Sequence, residues 1–246
     1  MRLRIEDCRI LRFTDNEWSV TEGSIDIKDD RIEAVGEPVG GKSPDRIIEA
    51  EGALALPGLV NAHTHVAMCL LRNYADDMAL MPWLQEKIFP AEGKMTEEDV
   101  YWGSMLSIGE MIRSGVTTFA DMYFYMEKTA EAVELSGIRA ALSMGMAASD
   151  AGEAREKSSR LEEFHTQWNG TAGGRIRVDA GPHAVYTCSP EALEEFAAAA
   201  RELDCGVHIH LSETEGEVGE AREKYGLSPV EIADQAGLFE NNAVDT

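Results

Sequence analysis

Apolar and polar positions alternate over the first 50 or so residues, in short runs that are separated by turns. Residues 2–13 alternate, and residues 23–27 lead through the charged turn 28–31 into residues 32–35. Alternation with a period of two is typical of strands that bury one face. The sequence therefore predicts a small β-rich unit over residues 1–52.

After residue 52 the apolar runs are continuous, and each of them ends in polar residues. There are five such runs, at residues 53–60, 116–122, 140–146, 178–181 and 207–211. Helical stretches lie between them: one begins at Thr96, with Asp99 at the capping-box position, and another begins at Ser189-Pro190. Strands that are apolar on both faces and alternate with helices predict parallel β/α units.

These units predict an α/β fold, with a partial TIM-like (β/α)8 barrel as the favoured architecture. A closed barrel of this type has eight strands and ~250 residues of its own, whereas residues 53–246 provide about five strands. We therefore expect a barrel domain over residues 53–246 that is truncated at its C-terminal end. In such barrels the active site lies at the carboxyl ends of the strands, so the polar residues that end each run are candidates for chemistry.

The charge of the chain argues against nucleic-acid partners, and the length of its apolar runs argues against a membrane span. The chain has 22 Lys and Arg residues against 45 Asp and Glu residues, a formal net charge of −23, whereas a nucleic-acid surface needs clustered cations. No run approaches the ~20 apolar residues of a membrane span, and charges interrupt the start of the chain, where a signal peptide would be apolar.

The cysteines, Cys8, Cys69, Cys188 and Cys205, have neither disulfide nor zinc-site spacing. We expect a cytoplasmic protein with reduced, buried cysteines.

Two pairs of histidines end two of the predicted strands. His63 and His65 follow the run 53–60, and on an extended chain residues i and i+2 point the same way, so both imidazoles can reach one ion. His208 and His210 end the fifth run with the same spacing. His210 is nearer the carboxyl end and is the better ligand, whereas His208 is expected to be packed or hydrogen-bonded one layer below. The sequence predicts a metal site of His63, His65 and His210; the alternative is histidines that only end a strand.

Glu213 lies three residues after His210. A carboxylate just past the strand can reach a substrate beside the metal and move protons, as general acid–base catalysis requires. Taken alone, a glutamate here is an ordinary helix-start or solvated residue. Its position after a candidate ligand favours the catalytic interpretation.

Five motifs, in this order, resemble the amidohydrolase superfamily: LPGLVNAHTHVAMCLLR, MPWLQEKIFPAE, SGVTTFADMYF, GPHAVYTCSPE and HIHLSET. They are most similar to its branch of 5′-methylthioadenosine/S-adenosylhomocysteine deaminases and 5′-deoxyadenosine deaminases, and the resemblance covers nearly the whole chain. It implies a (β/α)8 barrel flanked by a small β-sandwich built from both chain ends. It also implies one divalent metal that activates water, with zinc as the expected ion and Fe²⁺ or Mn²⁺ as alternatives.

The resemblance assigns roles to the candidate metal and catalytic residues. His63, His65 and His210 match three metal ligands of the family, and Glu213 matches the proton shuttle that serves the ring nitrogen of adenine. The family's remaining histidine and aspartate are expected after residue 246.

Four further residues match substrate-binding positions. His183 matches a residue that contacts the substrate, Glu86 matches the acid that hydrogen-bonds the ribose hydroxyls, and Trp83 is expected to wall the pocket. Arg160 matches one of two arginines that bind the homocysteine carboxylate in some members, whereas Met144 occupies the other position. This shifts the expected substrate from S-adenosylhomocysteine toward methylthioadenosine or 5′-deoxyadenosine. Without the motifs, Glu86 and Arg160 would be surface residues and Trp83 a core residue.

The expected function is hydrolytic deamination of a small purine nucleoside to the inosine analogue and ammonia, by a homo-oligomeric enzyme. One alternative keeps the fold and changes the substrate, as in s-triazine chlorohydrolases and guanine or cytosine-type deaminases. Another alternative is a catalytically incomplete fragment that acts only in binding or assembly.

Overall fold

The fold is described from a computed structural model that covers residues 1–38, 40, 43–240 and, for the backbone alone, 243–245. The chain divides into two compact units, Met1–Gly58 and Leu59–Thr246. Within the residues covered, no helix combines the length and the apolar character that a bilayer crossing needs.

The first unit is a five-stranded sheet built around its first strand. The strands are β1 (Arg2–Thr14), β2 (Glu17–Lys28), β3 (Arg31–Gly36), β4 (Arg46–Glu49) and β5 (Leu54–Ala55). β1 pairs antiparallel with β2 and parallel with β4 and β5, and β3 pairs with β2. The predicted N-terminal β-rich unit is confirmed. Because β5 pairs with β1, the unit extends to Gly58, beyond the expected boundary at residue 52.

The apolar run over residues 53–60 is not the single strand that its pattern predicts. Its first part forms β5 in the first unit, and a new strand, β6 (Leu59–Thr64), begins after Pro57. Proline has no N–H to donate to a strand ladder, so the run divides at this residue. As a result, His63 lies inside β6 and His65 directly follows it.

The second unit contains a parallel six-stranded sheet. Its strands are β6, β7 (Val116–Tyr123), β8 (Arg139–Met146), β9 (Ile176–Pro182), β10 (Val207–Ile209) and β11 (Ala243–Asp245). They pair in chain order, each parallel with the next, so all their carboxyl ends lie at the same edge. The α/β class and the five predicted barrel strands are confirmed, and a short sixth strand follows them.

Helices connect these strands. In chain order they are the 3-10 helix Val66–Leu71, α1 (Leu80–Trp83), the π-helix Leu84–Ile88, α2 (Phe89–Glu92), α3 (Glu97–Arg113), α4 (Met126–Ser136), α5 (Ala151–Trp168), α6 (Thr171–Gly174), α7 (Pro190–Glu202), α8 (Glu215–Tyr225), α9 (Pro229–Gln235) and the 3-10 helix Leu238–Glu240. Both predicted N-caps are present. Thr96 and Asp99 form the capping box of α3, and the Ser189 hydroxyl accepts a hydrogen bond from the Ala192 N–H at the start of α7.

The sheet and the helices of the second unit share a hydrophobic core. Phe119 of β7, Phe164 of α5 and Phe196 of α7 are almost completely buried, and burying a side chain of this size contributes about 1.5–3 kcal/mol. α3 packs against β7 and α4, and α5 packs against β8, β9 and α7. This packing holds the strand ends, and the polar residues that follow them, in fixed positions.

Candidate metal centre and surrounding pocket

Three histidines from distant parts of the sequence meet at the carboxyl edge of the parallel sheet. His63 belongs to β6, His65 follows it, and His210 follows β10. The ring centroids of the three imidazoles are 5.1–5.3 Å apart. One ring nitrogen from each histidine lies within 4.8 Å of the other two.

This arrangement fits a divalent metal ion. Two nitrogens that bind one tetrahedral zinc ion at ~2.0–2.1 Å are about 3.4 Å apart, so a pair at the 4.8 Å limit would have to close by about 1.4 Å, or about 0.7 Å for each nitrogen. Burial lowers the pKa of His65 and of His210, which favours the neutral imidazole that can bind a metal. A set of three imidazoles suits borderline ions such as zinc.

Backbone carbonyl groups orient two of the three rings. His65 Nδ1 donates to the carbonyl oxygen of Met122 at 2.6 Å, and His210 Nδ1 donates to the carbonyl oxygen of His183 at 3.1 Å. Because a carbonyl oxygen only accepts, Nδ1 carries the proton in both rings. Nε2 is therefore the nitrogen left for an ion, and the ring orientation is fixed before any ion binds.

The other two histidines of this region have different positions. His208 is buried, with its ring centroid 6.1 Å from that of His210, and burial lowers its pKa to about 3. It is packed below the cluster, as expected. His183 lies in the wall of the pocket, where Thr187 Oγ1 is 3.0 Å from its Nδ1, and burial lowers its pKa to about 4.

The cluster opens into a cavity of about 490 Å³. Much of the wall is apolar or aromatic, with Trp83, Phe89 and Phe124 among its residues. Its acidic residues are Glu92 and Glu213, and no lysine or arginine of the described residues lines it. A concave, largely apolar site with a few polar groups is typical of pockets for small molecules.

Glu213 lies in the pocket wall beside the histidine cluster. It follows Ser212, whose φ of +56° is in the left-handed region. Two contacts hold this turn: the Tyr186 hydroxyl donates to Glu213 Oε2 at 3.3 Å, and the Glu213 N–H donates to Glu217 Oε2 at 2.8 Å. Glu217 is buried, and its pKa is raised by loss of solvent. Sequence reasoning missed Glu217, although its spacing from Thr214 is that of a capping box.

The helical segment from residue 80 to residue 92 contributes an acid to the pocket, but it is Glu92 and not the expected Glu86. Trp83 lines the cavity as predicted, but Glu86 is exposed and does not line it. The lining residues of this segment recur at helical spacing and end at Glu92, which places Glu86 on another face. The Tyr123 hydroxyl donates to Glu92 Oε1 at 2.6 Å, and partial burial raises the pKa of Glu92. The same spacing in the sequence would have identified Glu92.

Arg160 is not part of the pocket either. It is exposed on α5, in a helix that packs against β8, β9 and α7, and it does not line the cavity. Met144, at the other position where some family members have arginine, is half-buried against the core and does not line the cavity either.

Comparisons with known proteins agree with this architecture. The sequence profile of the amidohydrolase family matches residues 54–244. The 5-methylthioadenosine/S-adenosylhomocysteine deaminase of Caldanaerobacter subterraneus subsp. tengcongensis is 46% identical over 98% of this chain and 55% of its own length. The enzyme of the same name from Pelotomaculum thermopropionicum is 48% identical, over 96% of this chain and 55% of its own length. The chain therefore spans about half the length of these relatives.

A solved structure gives the same result for the fold. The crystal structure of an adenosine deaminase from Xanthomonas campestris, with bound zinc, superposes with a TM-score of 0.89 at 32% sequence identity. The match covers 99% of this chain and 56% of that protein.

Proposed function

The chain belongs to the amidohydrolase family, and on this premise we propose that its protein is a metal-dependent deaminase of 5′-substituted adenosines. The reaction would release ammonia and leave the inosine analogue. The observation that carries the proposal is the meeting of His63, His65, His210 and Glu213 in one cavity. The names of the relatives favour adenosine derivatives over the triazine, guanine and cytosine alternatives.

Each residue of the cluster has a distinct task in this proposal. His63, His65 and His210 would hold the metal, which when bound supplies a water of lowered pKa. Glu213 would carry a proton to the purine ring nitrogen next to the carbon that bears the amine, since protonation there makes that carbon more electrophilic. Tyr186 and Glu217 support this task because they hold the side chain and the backbone of Glu213.

We propose zinc as the metal, with Fe²⁺ and Mn²⁺ as the alternatives. Three neutral imidazoles with room for a further ligand are typical of catalytic zinc sites. Metal analysis of the purified protein tests this assignment. We expect about one zinc per chain and its loss in a His63→Ala, His65→Ala double variant, and a metal content that the double variant does not change would contradict the site.

For the substrate, we propose that Glu92, and not Glu86, contacts the ribose hydroxyls. Glu92 lines the cavity and Glu86 does not.

The charge of the pocket wall bears on the 5′-substituent of the substrate. The described wall has two carboxylates and no lysine or arginine, so a substrate carboxylate would be buried beside like charge without a partner. A neutral substituent, as in methylthioadenosine or 5′-deoxyadenosine, fits this wall better than that of S-adenosylhomocysteine.

Release of ammonia by the complete protein, or of chloride when the substrate is a chlorotriazine, tests the reaction. Methylthioadenosine, 5′-deoxyadenosine, S-adenosylhomocysteine, adenosine, guanine and a chlorotriazine should be compared at equal concentration. We expect the first two to be the best substrates. Turnover of guanine or the chlorotriazine alone would favour the other members of the family, and stoichiometric zinc without any hydrolysis would favour a binding role.

Two matched pairs of substitutions test the assigned residues. Glu213→Gln should lower turnover by a factor on the order of 10² or more, because it removes the proton carrier, while zinc content stays unchanged. Glu215→Gln, an exposed neighbour at the start of α8, is the control and should have little effect. For the ribose, Glu92→Gln should raise KM more than Glu86→Gln does. Equal effects within either pair would contradict the assignment.

A cytoplasmic location and a homo-oligomeric state stay predictions. The prediction of buried cysteines holds for Cys8, Cys188 and Cys205, whereas Cys69 is only partly buried. Light scattering of the purified protein would measure the oligomeric state.

A further inference from the structure

Asp121 is a fully buried carboxylate at the carboxyl end of β7, beside the His63-Thr64-His65 turn. Its Oδ1 accepts a hydrogen bond from the N–H of Val66 at 2.8 Å and lies 2.8 Å from the Thr64 hydroxyl oxygen. These two groups flank His65 on either side. Asp121 therefore contacts the chain immediately before and immediately after a candidate metal ligand, without being a ligand itself.

The neighbours of Asp121 in β7 complete this contact. The Thr64 hydroxyl also lies 2.7 Å from the carbonyl oxygen of Ala120, and His65 Nδ1 donates to the carbonyl oxygen of Met122. Three successive residues of β7 thus hold three successive residues, Thr64 to Val66, at and just after the end of β6. One of these contacts fixes the ring of His65, and the contacts of Asp121 fix its backbone.

The regular hydrogen bonds between β6 and β7 do not hold the chain at this point. The pairing of β6 with β7 shifts register between Asn61 and Thr64, so the ladder is interrupted where the histidines lie. After Thr64 the chain leaves the strand and enters the 3-10 helix Val66–Leu71. The Val66 N–H is at the start of this helix, so it has no hydrogen-bond acceptor inside the helix. The carboxylate of Asp121 supplies the acceptor that neither the sheet nor the helix provides.

Stability alone does not explain a carboxylate at this position. Burying a polar oxygen without a hydrogen bond is costly, and Oδ2 of Asp121 is buried with no hydrogen-bond partner among the described residues. A buried carboxyl group that holds the backbone on both sides of a candidate ligand is placed like the groups that surround metal ligands and orient them.

We propose that Asp121 is a positioning residue for the metal centre: its Oδ1 fixes the backbone on both sides of His65, so that the imidazole is held ready to bind a divalent cation. The inference rests on the metal site proposed above. The proposed role depends on the acceptor oxygen of Asp121 and not on its charge, so two substitutions at this residue should give different results. Asparagine keeps an oxygen at this position, whereas alanine removes it.

The experiment measures the affinity of the protein for Zn²⁺, by competition with a chelating dye, together with thermal unfolding in the presence of a chelator. Removal of a group that orients a metal ligand typically lowers metal affinity by about 10- to 100-fold, so we expect a loss of this size in Asp121→Ala. Asp121→Asn should retain most of the affinity. Thr64→Val removes only the hydroxyl contact and should have a smaller effect in the same direction, which keeps the test available if Asp121→Ala does not fold.

Asp179 provides the matched control. It is also a buried aspartate on a strand, and its Oδ1 accepts hydrogen bonds from the Gly206 N–H and from Arg177, but it has no contact with the histidine turn. Asp179→Ala should lower the unfolding temperature without lowering zinc affinity.

Four results would overturn the inference: unchanged affinity in both Asp121→Ala and Thr64→Val, an equal loss in Asp121→Asn and Asp121→Ala, an equal loss in Asp179→Ala, or a wild-type protein that binds no zinc. The last of these would refute the metal centre itself, whereas the first three leave it standing and remove only the role of Asp121.

Discussion

Gly145 and Gly181 are register partners on the adjacent strands β8 and β9, but a methyl group would meet different surroundings at the two positions. A Cβ built on Gly181 would lie 2.4 Å from the carbonyl oxygen of Met144 and 3.1 Å from Ser143 Cβ. A Cβ built on Gly145 would have its nearest neighbours at 3.6 Å, an ordinary contact. We therefore predict that Gly181→Ala is strongly destabilising and that Gly145→Ala is not.

The size of the effect follows from these distances. Cβ atoms rarely come closer than 3.0 Å to another atom, so the strands must separate by at least the difference between 3.0 Å and 2.4 Å, which is 0.6 Å. The atom in the way belongs to the backbone of β8 and cannot rotate aside. Overpacking of this kind costs about 1–3 kcal/mol, which in a chain of this length corresponds to a fall of about 2–12 °C in unfolding temperature. Gly145→Ala should stay within about 0.5 kcal/mol of the wild type.

Urea titration followed by circular dichroism measures both variants against the wild type. Because the two glycines face each other in one strand pair, differences in β propensity and in the unfolded chain largely cancel between the variants. Equal midpoints for Gly181→Ala and Gly145→Ala, or a greater loss in Gly145→Ala, would refute the argument that close backbone approach requires glycine at residue 181.

Three further predictions concern charge, capping and metal. Burial raises the pKa of Glu217, so its contribution to stability is complete below the ordinary carboxyl pKa and is lost as the pH rises through the raised value. Glu217→Gln should therefore gain stability relative to the wild type as the pH rises above about 4.3, the ordinary glutamate pKa. A stability difference that is constant with pH would contradict this. Thr96→Ala removes the cap of α3 and should cost about 1 kcal/mol in urea titration. A cost no larger than that of an exposed mid-helix substitution such as Leu106→Ala would show that the cap does not stabilise the helix. Zinc at 100 times its Kd should stabilise the protein by about 2.7 kcal/mol, measured as a thermal shift, and a shift that persists in His65→Ala would refute the site.

Much of the fold is encoded in local patterns, and these could be read from the sequence. Continuous apolar runs between helices predict the parallel strands, and the caps at Thr96 and Ser189 are side-chain contacts within a few residues. Pro57 is a local signal that divides the run at residues 53–60, but the pairing of the first part of the run with β1, more than 40 residues earlier in the chain, could not be predicted from local patterns.

The candidate site shows the same limit. The histidine spacing predicts which imidazoles meet, because carboxyl ends of parallel strands share an edge. The acids are harder to assign, since Glu86 and Glu92 differ only in the helix face that they occupy. Asp121 was not predicted as a supporting group because its partners, Thr64 and Val66, come from the end of another element. Glu217 contacts its own neighbours Glu213 and Thr214, so its capping-box spacing was a usable signal, but its burial is a property of the folded chain.

The position of β6 has a mechanical consequence. In the described part of the sheet, β6 pairs with β7. It carries His63 near its end, while His210 follows β10, on the far side of β7, β8 and β9. An ion shared by these residues would tie together two strands that are not neighbours in the described sheet. Stripping the ion should therefore loosen both of the strand ends that it joins, and amide hydrogen exchange should accelerate at residues 59–65 and 207–210.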